Sequence, residues 1–403
     1  MKLSDIDALQ SPQARALLDA HHMDDPHEFA LRHARRRHLP IAAIAEQIAC
    51  RTKAAAKLPA LSKSDFLYSP VALEQCSREA TAHFKAGFMA GGSVVDITGG
   101  LGIDTLAFAR SFERVVYCEK DEVLAKLFAA NVQSMRVDNI DIRHADGVTY
   151  LRNVADDAFD WIFGDPSRRN GTARKVGLTA CEPDVTQMEV LMLAKARRVC
   201  IKASPALDIV MAQRQLAHLQ RCLVVSVNGK CKEVLLLSGR AQPNGSRVAV
   251  ESVLLNETGQ VRYRIDGAYE PSARCRDITM RRKYLYEPDA AIIKAHLSSK
   301  VCAAYGLSFI NATTDYATGD KLLQDFPGRT FEIVASLPWR KKAVRAYLHA
   351  HHIEKANISR RDFPHAPEEV RKMLPAKEGG DEFLFFTRDS NRDPIMIHAR
   401  KPH

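Results

Sequence analysis

Between Val94 and Arg110 the chain reads VVDITGGLGIDTLAFAR. An apolar run ends in Asp96, three glycines follow at Gly99, Gly100 and Gly102, and a helical pattern then opens with a second acid, Asp104. Strand, tight turn and helix in that order are how a parallel βαβ unit holds a nucleotide-like ligand. The neighbouring sequence extends the pattern. From Ser93 to Ser238, the short runs SVVDIT, RVVYCEK, IDIRHAD, FDWIFGDP, RRVCIKASP and CLVVSV alternate with helical segments, which predicts an α/β domain built on a doubly wound, mainly parallel sheet. In CLVVSVNGKCKEVLLLSG, Asn228 and Gly229 separate two strand-like runs and both tolerate positive φ. They predict a hairpin whose antiparallel strand closes the sheet.

The acids around the glycines decide which ligand fits. A dinucleotide seats its pyrophosphate at the helix N-terminus, where a carboxylate would repel it, and Thr105 stands where the third glycine of GxGxxG belongs. S-adenosylmethionine carries a sulfonium and an ammonium and no phosphate, so Asp96 would attract it. Two later strand ends point the same way. Glu119 ends the second strand, where a carboxylate binds a ribose hydroxyl pair, and Asp146 follows the third, placed to accept from an adenine amino group, with Gly147 permitting close approach.

The fourth strand runs into Asp165-Pro166-Ser167-Arg168-Arg169. Here the chain resembles the class I S-adenosylmethionine-dependent methyltransferases, specifically a bacterial group with a helical N-terminal region and a C-terminal THUMP-like domain. The stretches that carry the resemblance are EQCSREATAHFKA, DITGGLGIDT, DPSRR, CEPDV, IKASPALD, GKCKE, YLYEPDAAIIKA, RTFEI and EGGDEFLFFT. It implies a Rossmann-like methyl-transferring domain with a C-terminal α+β, THUMP-like and ferredoxin-like region. Asp96, Gly99, Gly100 and Gly102 would serve the methionine part of the cofactor, Glu119 the ribose, Asp146 the adenine, and Asp165 the face of methyl transfer, with Asp104 a further candidate contact to the cofactor. One departure is visible: enzymes that methylate exocyclic base amines carry Pro-Pro-aromatic after the acid, the aromatic stacking on a flipped base. Here Ser167 and Arg168 stand there, and Arg168 can stack through its guanidinium plane or pair with a phosphate. Lys202, in IKASPALD, can hold a substrate phosphate or neutralise Asp165. The basic stretch NGTARKVGLTACEPDV reads as a lid or a substrate-contacting loop over the site.

After a turn-rich GRAQPNGSR the sequence changes to an α+β mixture. The expected organisation is a helical region over 1–92, the methyltransferase domain over 93–239 and the THUMP-like region over 247–403, divisible near 328. The formal net charge is +10. Part of it lies in Arg340, Lys341, Lys342 and Arg345 on a predicted helix, and in Arg360 and Arg361 beside Phe363, a pattern that fits phosphate contacts with base stacking. RNA is the expected partner, by resemblance and by charge, and an RNA base the expected substrate. The alternatives are a methyltransferase for a protein or small metabolite, and an inactive RNA-binding relative. The N-terminus shows no basic region followed by an apolar core, and nine cysteines occur without a CxxC pair. A cytoplasmic chain with reduced thiols, no metal site and no membrane span is expected.

Overall fold

The computed structural model describes residues 1–168, 177–241, 248–268 and 282–402. They form two compact units, one of Met1–Asn228, Lys232–Val248 and Leu255–Arg262, the other of Gly229–Cys231, Ala249–Leu254 and Tyr263–His403.

The first unit opens with six helices: α1 (Leu3–Leu9), α2 (Pro12–Ala20), α3 (Pro26–His33), α4 (Ile41–Ala54), α5 (Pro70–Gln75) and α6 (Glu79–Phe88). Pro12 and Pro26 start α2 and α3, and the side chains of Ser11 and Asp25 before them accept from first-turn N–H groups. Ile6, Leu18, Phe29, Ile44 and Ile48 fill the interior of this region, whereas Leu31 faces outward, 79% exposed.

The expected alternation follows: β1 (Gly91–Asp96), α7 (Ile103–Phe108), β2 (Phe112–Glu119), α8 (Glu122–Met135), β3 (Ile140–His144), α9 (Gly147–Asn153) and β4 (Phe159–Gly164). Two short strands, β5 (Ser167–Arg168) and β6 (Cys181–Glu182), pair with each other before α10 (Val185–Lys195), β7 (Ala196–Ala203), α11 (Ile209–Gln215), β8 (Leu219–Val227) and β9 (Lys230–Gly239). Within the sheet the order runs β8-β9-β7-β4-β1-β2-β3. Strands β3, β2, β1, β4 and β7 are parallel, and β9 is antiparallel to β7. Val94, Val95, Val116, Ile162 and Cys200 are fully buried, the unbroken apolar strand pattern of a sheet covered on both faces. Asn228 and Gly229 make the hairpin turn at φ 48° and 75°. The antiparallel strand is interior, however: β9 inserts between β7 and β8 instead of closing the edge.

Strands β10 (Ala249–Leu255) and β11 (Val261–Ala268) have residues in both units. The second unit continues with β12 (Tyr284–Pro288), α12 (Ala290–Lys294), α13 (Ser298–Ala304), β13 (Ser308–Phe309), β14 (Ala317–Gly319), β15 (Gly328–Pro338), α14 (Lys341–Ala350), β16 (Asn357–Arg360), α15 (Pro367–Met373), β17 (Glu382–Arg388) and β18 (Pro394–Arg400). Its sheet has the order β13-β14-β12-β15-β18-β17-β16. On α14, Val344 and Leu348 lie one turn apart and are buried with Leu384, Phe386 and Met396. Phe363 belongs to this core, 5.3 Å from the rings of Trp339 and Phe386. The stacking surface expected of it is therefore not available.

Among the described residues no helix is long and apolar enough to cross a membrane, the eight cysteines form no disulfide, and no group of three or more His, Cys, Asp or Glu could hold a metal ion.

Candidate active site

The parallel strands deliver their C-terminal ends to one edge of the sheet, and the acids predicted there arrive together. Asp96 ends β1 with 1% exposure. Its carboxylate accepts from the Thr98 N–H at 3.0 Å and the Thr105 hydroxyl at 2.7 Å, so it lies behind the turn. Burial pushes the Asp96 carboxyl up to about 7, against the pull of those two hydrogen bonds.

The turn itself is shaped by aromatic rings. A Cβ on Gly99 would fall 2.2 Å from the Tyr117 ring, and one on Gly102, at φ 79°, would fall 2.0 Å from the Phe128 ring. Tyr117 and Phe128 stack at 4.2 Å, and the Tyr117 hydroxyl donates to the Gly100 carbonyl at 2.6 Å. The Gly100 N–H donates to Glu119 Oε2 at 2.8 Å, and the Asp121 N–H to Oε1 at 2.8 Å. Two backbone amides thus orient the Glu119 carboxylate at the tip of β2, half-exposed, with lone pairs left for a diol. Asp146 is exposed and caps α9 by accepting from the Thr149 N–H at 2.8 Å, while Gly147 lies where a Cβ would meet the Ile97 carbonyl at 2.2 Å.

These contacts discriminate between ligands. The N–H groups of Thr98, Gly99, Gly100 and Gly102 are all bonded to protein acceptors, two of them carboxylates, so the turn offers a pyrophosphate little purchase. A cationic ligand with a diol fits the same residues.

Beyond β4, the Asp165 N–H donates to Thr98 Oγ1 at 2.6 Å, which ties the fourth strand end to the glycine turn. The Lys202 ammonium, at the end of β7, donates to Asp165 Oδ2. Burial alone would push the Lys202 ammonium down, but the Asp165, Asp104 and Glu233 carboxylates hold it above the ordinary lysine range. The Asp104 carboxylate is buried and takes part in a second cluster. It accepts from Ser77 Oγ at 2.6 Å and lies 3.2 Å from the fully buried Lys85 ammonium, which also donates to both Glu233 oxygens at 2.7 and 2.8 Å. Asp104 is thus committed to protein partners, in contrast to the ligand contact expected of it. Ser77, Lys85 and Glu233 were not singled out in the sequence. A lysine on the apolar face of α6, beside Ala82 and Phe84, and a glutamate abutting the apolar run VLLL were the available signals.

Arg168 pairs through its backbone with Cys181, and its side chain lies outside the described residues, as do Arg169 and most of the predicted lid, 170–176. In the second unit Arg340, Lys341, Lys342 and Arg345 are exposed at the start of α14. Arg360 is exposed and donates to the carbonyls of His365 and Phe363. Arg361 donates to Glu287 at 3.0 Å and lies 5.3 Å over the Tyr316 ring. Both arginines spend guanidinium donors on acceptors within the protein.

Asp96 carries a pH prediction. Its folded value lies above 3.8, so the stability linked to its protonated form is present below pH 3.8 and lost as pH rises through about 7. A cationic ligand favours the ionised form. Affinity for S-adenosylmethionine should therefore rise about tenfold from pH 6 to pH 8, with proton release, and Asp96→Asn should flatten the dependence. Calorimetry in buffers of different ionisation heat checks this; equal affinity at both pH values in the wild type would refute it.

Known proteins resemble this chain in sequence and fold. Residues 328–401 match the family described as THUMP domain-like, and residues 284–327 match a ferredoxin-like domain family. An uncharacterized S-adenosylmethionine-dependent methyltransferase of Mycobacterium tuberculosis, found in strains CDC 1551 and H37Rv, is 27% identical over 337 residues, which is 82% of this chain and 88% of its own. A crystal structure of a Porphyromonas gingivalis W83 protein assigned to the methyltransferases superposes with a TM-score of 0.81 at 26% identity, over 96% of each chain. With the strand-end acids and the glycine turn, these likenesses over most of the chain make it an S-adenosylmethionine-dependent methyltransferase with a THUMP-like domain over residues 328–401.

Proposed function

We propose that the protein methylates a base in RNA. The observation that carries this reading is the exposed cluster of Arg340, Lys341, Lys342 and Arg345 at the start of α14, in a THUMP-like domain of a chain with net charge +10. Three of these residues lie in the first turn of α14 or just before it, where no acid stands. The positive end of the helix adds to their field, an arrangement suited to phosphate.

In this reading Glu119 holds the ribose, Asp146 the adenine, and Asp96, Gly99, Gly100 and Gly102 the methionine part of the cofactor, with Asp104 acting only through Lys85 and Ser77. The cofactor supplies an electrophilic methyl group on sulfur. The protein's own task is alignment and proton removal. Asp165, oriented by Thr98 and Lys202, accepts a hydrogen bond from the acceptor and then its proton, and Arg168 contacts the base or its phosphate. Cytoplasmic RNA is the proposed setting.

Two measurements test the reading. Mass spectrometry of nucleosides from total RNA, with and without the protein, should show one methyl mark that depends on it. RNA affinity should fall steeply with salt, and replacing Lys341, Lys342 and Arg345 with Ala should lower the slope of log K against log salt by about 2–3 while leaving cofactor affinity intact. An unchanged nucleoside profile, together with salt-independent binding, would sink the RNA reading in favour of a protein or metabolite acceptor.

A further inference from the structure

Three stretches far apart in sequence meet beside the Asp165–Lys202 pair: Ser77 and Lys85, just before α6 and within it, Asp104 in the first turn of α7, and Glu233 in β9. Lys85 is 0% exposed and Glu233 is 2% exposed. Across β7 and β9, Lys202 stands opposite Leu235 and Ala203 opposite Val234, so Glu233 is the next residue along the ladder, beside the strand end that presents Lys202. The groups that act on the Lys202 ammonium are Asp165, Asp104 and Glu233, with Lys85, Lys57 and Cys76 around them. A buried cluster of this kind is poor at stabilising a fold, because apolar residues of the same volume do as well or better. What sets this one apart is its direction, since it backs onto the pair that faces the site.

We propose that Glu233 is a positioning residue for methyl transfer: with Asp104 it holds the Lys202 ammonium fixed against Asp165, while Lys85 balances the two buried carboxylates. The proposal rests on the reading above for the role of Asp165. In the transfer, a lone pair on the acceptor bonds to the methyl carbon as the carbon–sulfur bond breaks and its electron pair stays on sulfur. The proton then shed by the acceptor passes to the Asp165 carboxylate and on to water. A carboxylate pinned through one oxygen by Lys202 keeps its other oxygen aimed at the acceptor. The N-terminal helices, through Lys85 and Ser77, are thereby part of the transfer machinery.

The test reads the lysine directly. Wild type and Glu233→Gln are acetylated with acetic anhydride between pH 7 and 10, with and without S-adenosylhomocysteine, and each lysine is followed by peptide mass spectrometry. Lys202 should label slowly in the wild type and about tenfold faster in the variant, the change that one unit of lysine acidity produces, while exposed Lys341 and Lys342 are unaffected. In parallel, transfer of radiolabelled methyl groups to total RNA from cells lacking the protein should show kcat reduced about tenfold at unchanged cofactor affinity, with Glu233→Asp recovering part of it. Unchanged Lys202 labelling in folded Glu233→Gln overturns the proposal, and so does faster labelling with unchanged kcat. Faster labelling in a protein whose wild type transfers nothing to RNA supports the hold of Glu233 on Lys202 and overturns the RNA reading instead. Should Glu233→Gln fail to fold by circular dichroism, Ser77→Ala, which removes one hydrogen bond to Asp104, replaces it. A smaller shift in the same direction supports the proposal, and none overturns it.

Discussion

Lys85→Met is expected to destabilise the first unit by about 3–5 kcal/mol, because it leaves the buried Asp104 and Glu233 carboxylates without their ammonium. Burial works to raise the Asp104 carboxyl, but Lys85, Lys202 and Ser77 outweigh it and hold it below 3.8. That contribution is present above pH 3.8 and is lost as pH falls through the depressed value. The penalty of the variant should accordingly shrink in acid, where its orphaned carboxylates take up protons. Lys85→Met combined with Glu233→Gln should cost less than the sum of the single changes, since the second removes one of the stranded charges. Urea unfolding at pH 7 and pH 5 checks both statements, and a loss under 1 kcal/mol for the single variant would contradict the burial argument.

Gly102→Ala should be nearly as damaging, at about 2–5 kcal/mol, the sum of a left-handed backbone without glycine and an overpacked neighbour. Its Cβ would lie 2.0 Å from Phe128 Cε2 and 2.2 Å from Cδ2, at φ 79°. Phe128 can yield only by pushing Tyr117, whose hydroxyl holds the Gly100 carbonyl, so the turn would deform and S-adenosylmethionine affinity should fall more than about tenfold. Gly100→Ala is the control. Its Cβ meets nothing nearer than 3.7 Å, and at φ 54° it carries only the backbone cost, about 1–2 kcal/mol. If the two variants unfold at the same urea concentration, the ring contact is not what demands glycine at 102.

The placement of the acids at the strand ends was legible in the sequence because strand ends are local features. A β-branched run followed by an acid and a helical pattern fixes where Glu119 and Asp146 emerge, whatever surrounds them. The hairpin at Asn228 and Gly229 was legible for the same reason. The place of β9 inside the sheet was not, since strand order is a long-range property. Asp104 shows the limit most clearly. Its spacing from the glycines suggested a ligand, but its partners Lys85 and Ser77 come from α6 and the turn before it, and Lys85 is 148 positions from Glu233. No window of sequence contains that pairing. Phe363 failed for a related reason: flanking arginines made it look exposed, while Trp339 and Phe386, which bury it, come from other elements.

Lys85 also bears on how this enzyme can be taken apart. The sheet from β1 onward has the outline of an autonomous catalytic cassette, yet a fragment beginning there would lack the counter-ion of Asp104 and Glu233. It would lose a second anchor as well, for Asn131 of α8 donates to the Leu67 carbonyl at 2.9 Å and accepts from the Leu67 N–H at 2.8 Å, deep in the interior. The first 90 residues and the sheet should therefore melt as one cooperative block in a calorimeter. Grafting this catalytic apparatus onto another substrate-recognition module would have to move the N-terminal helices with it.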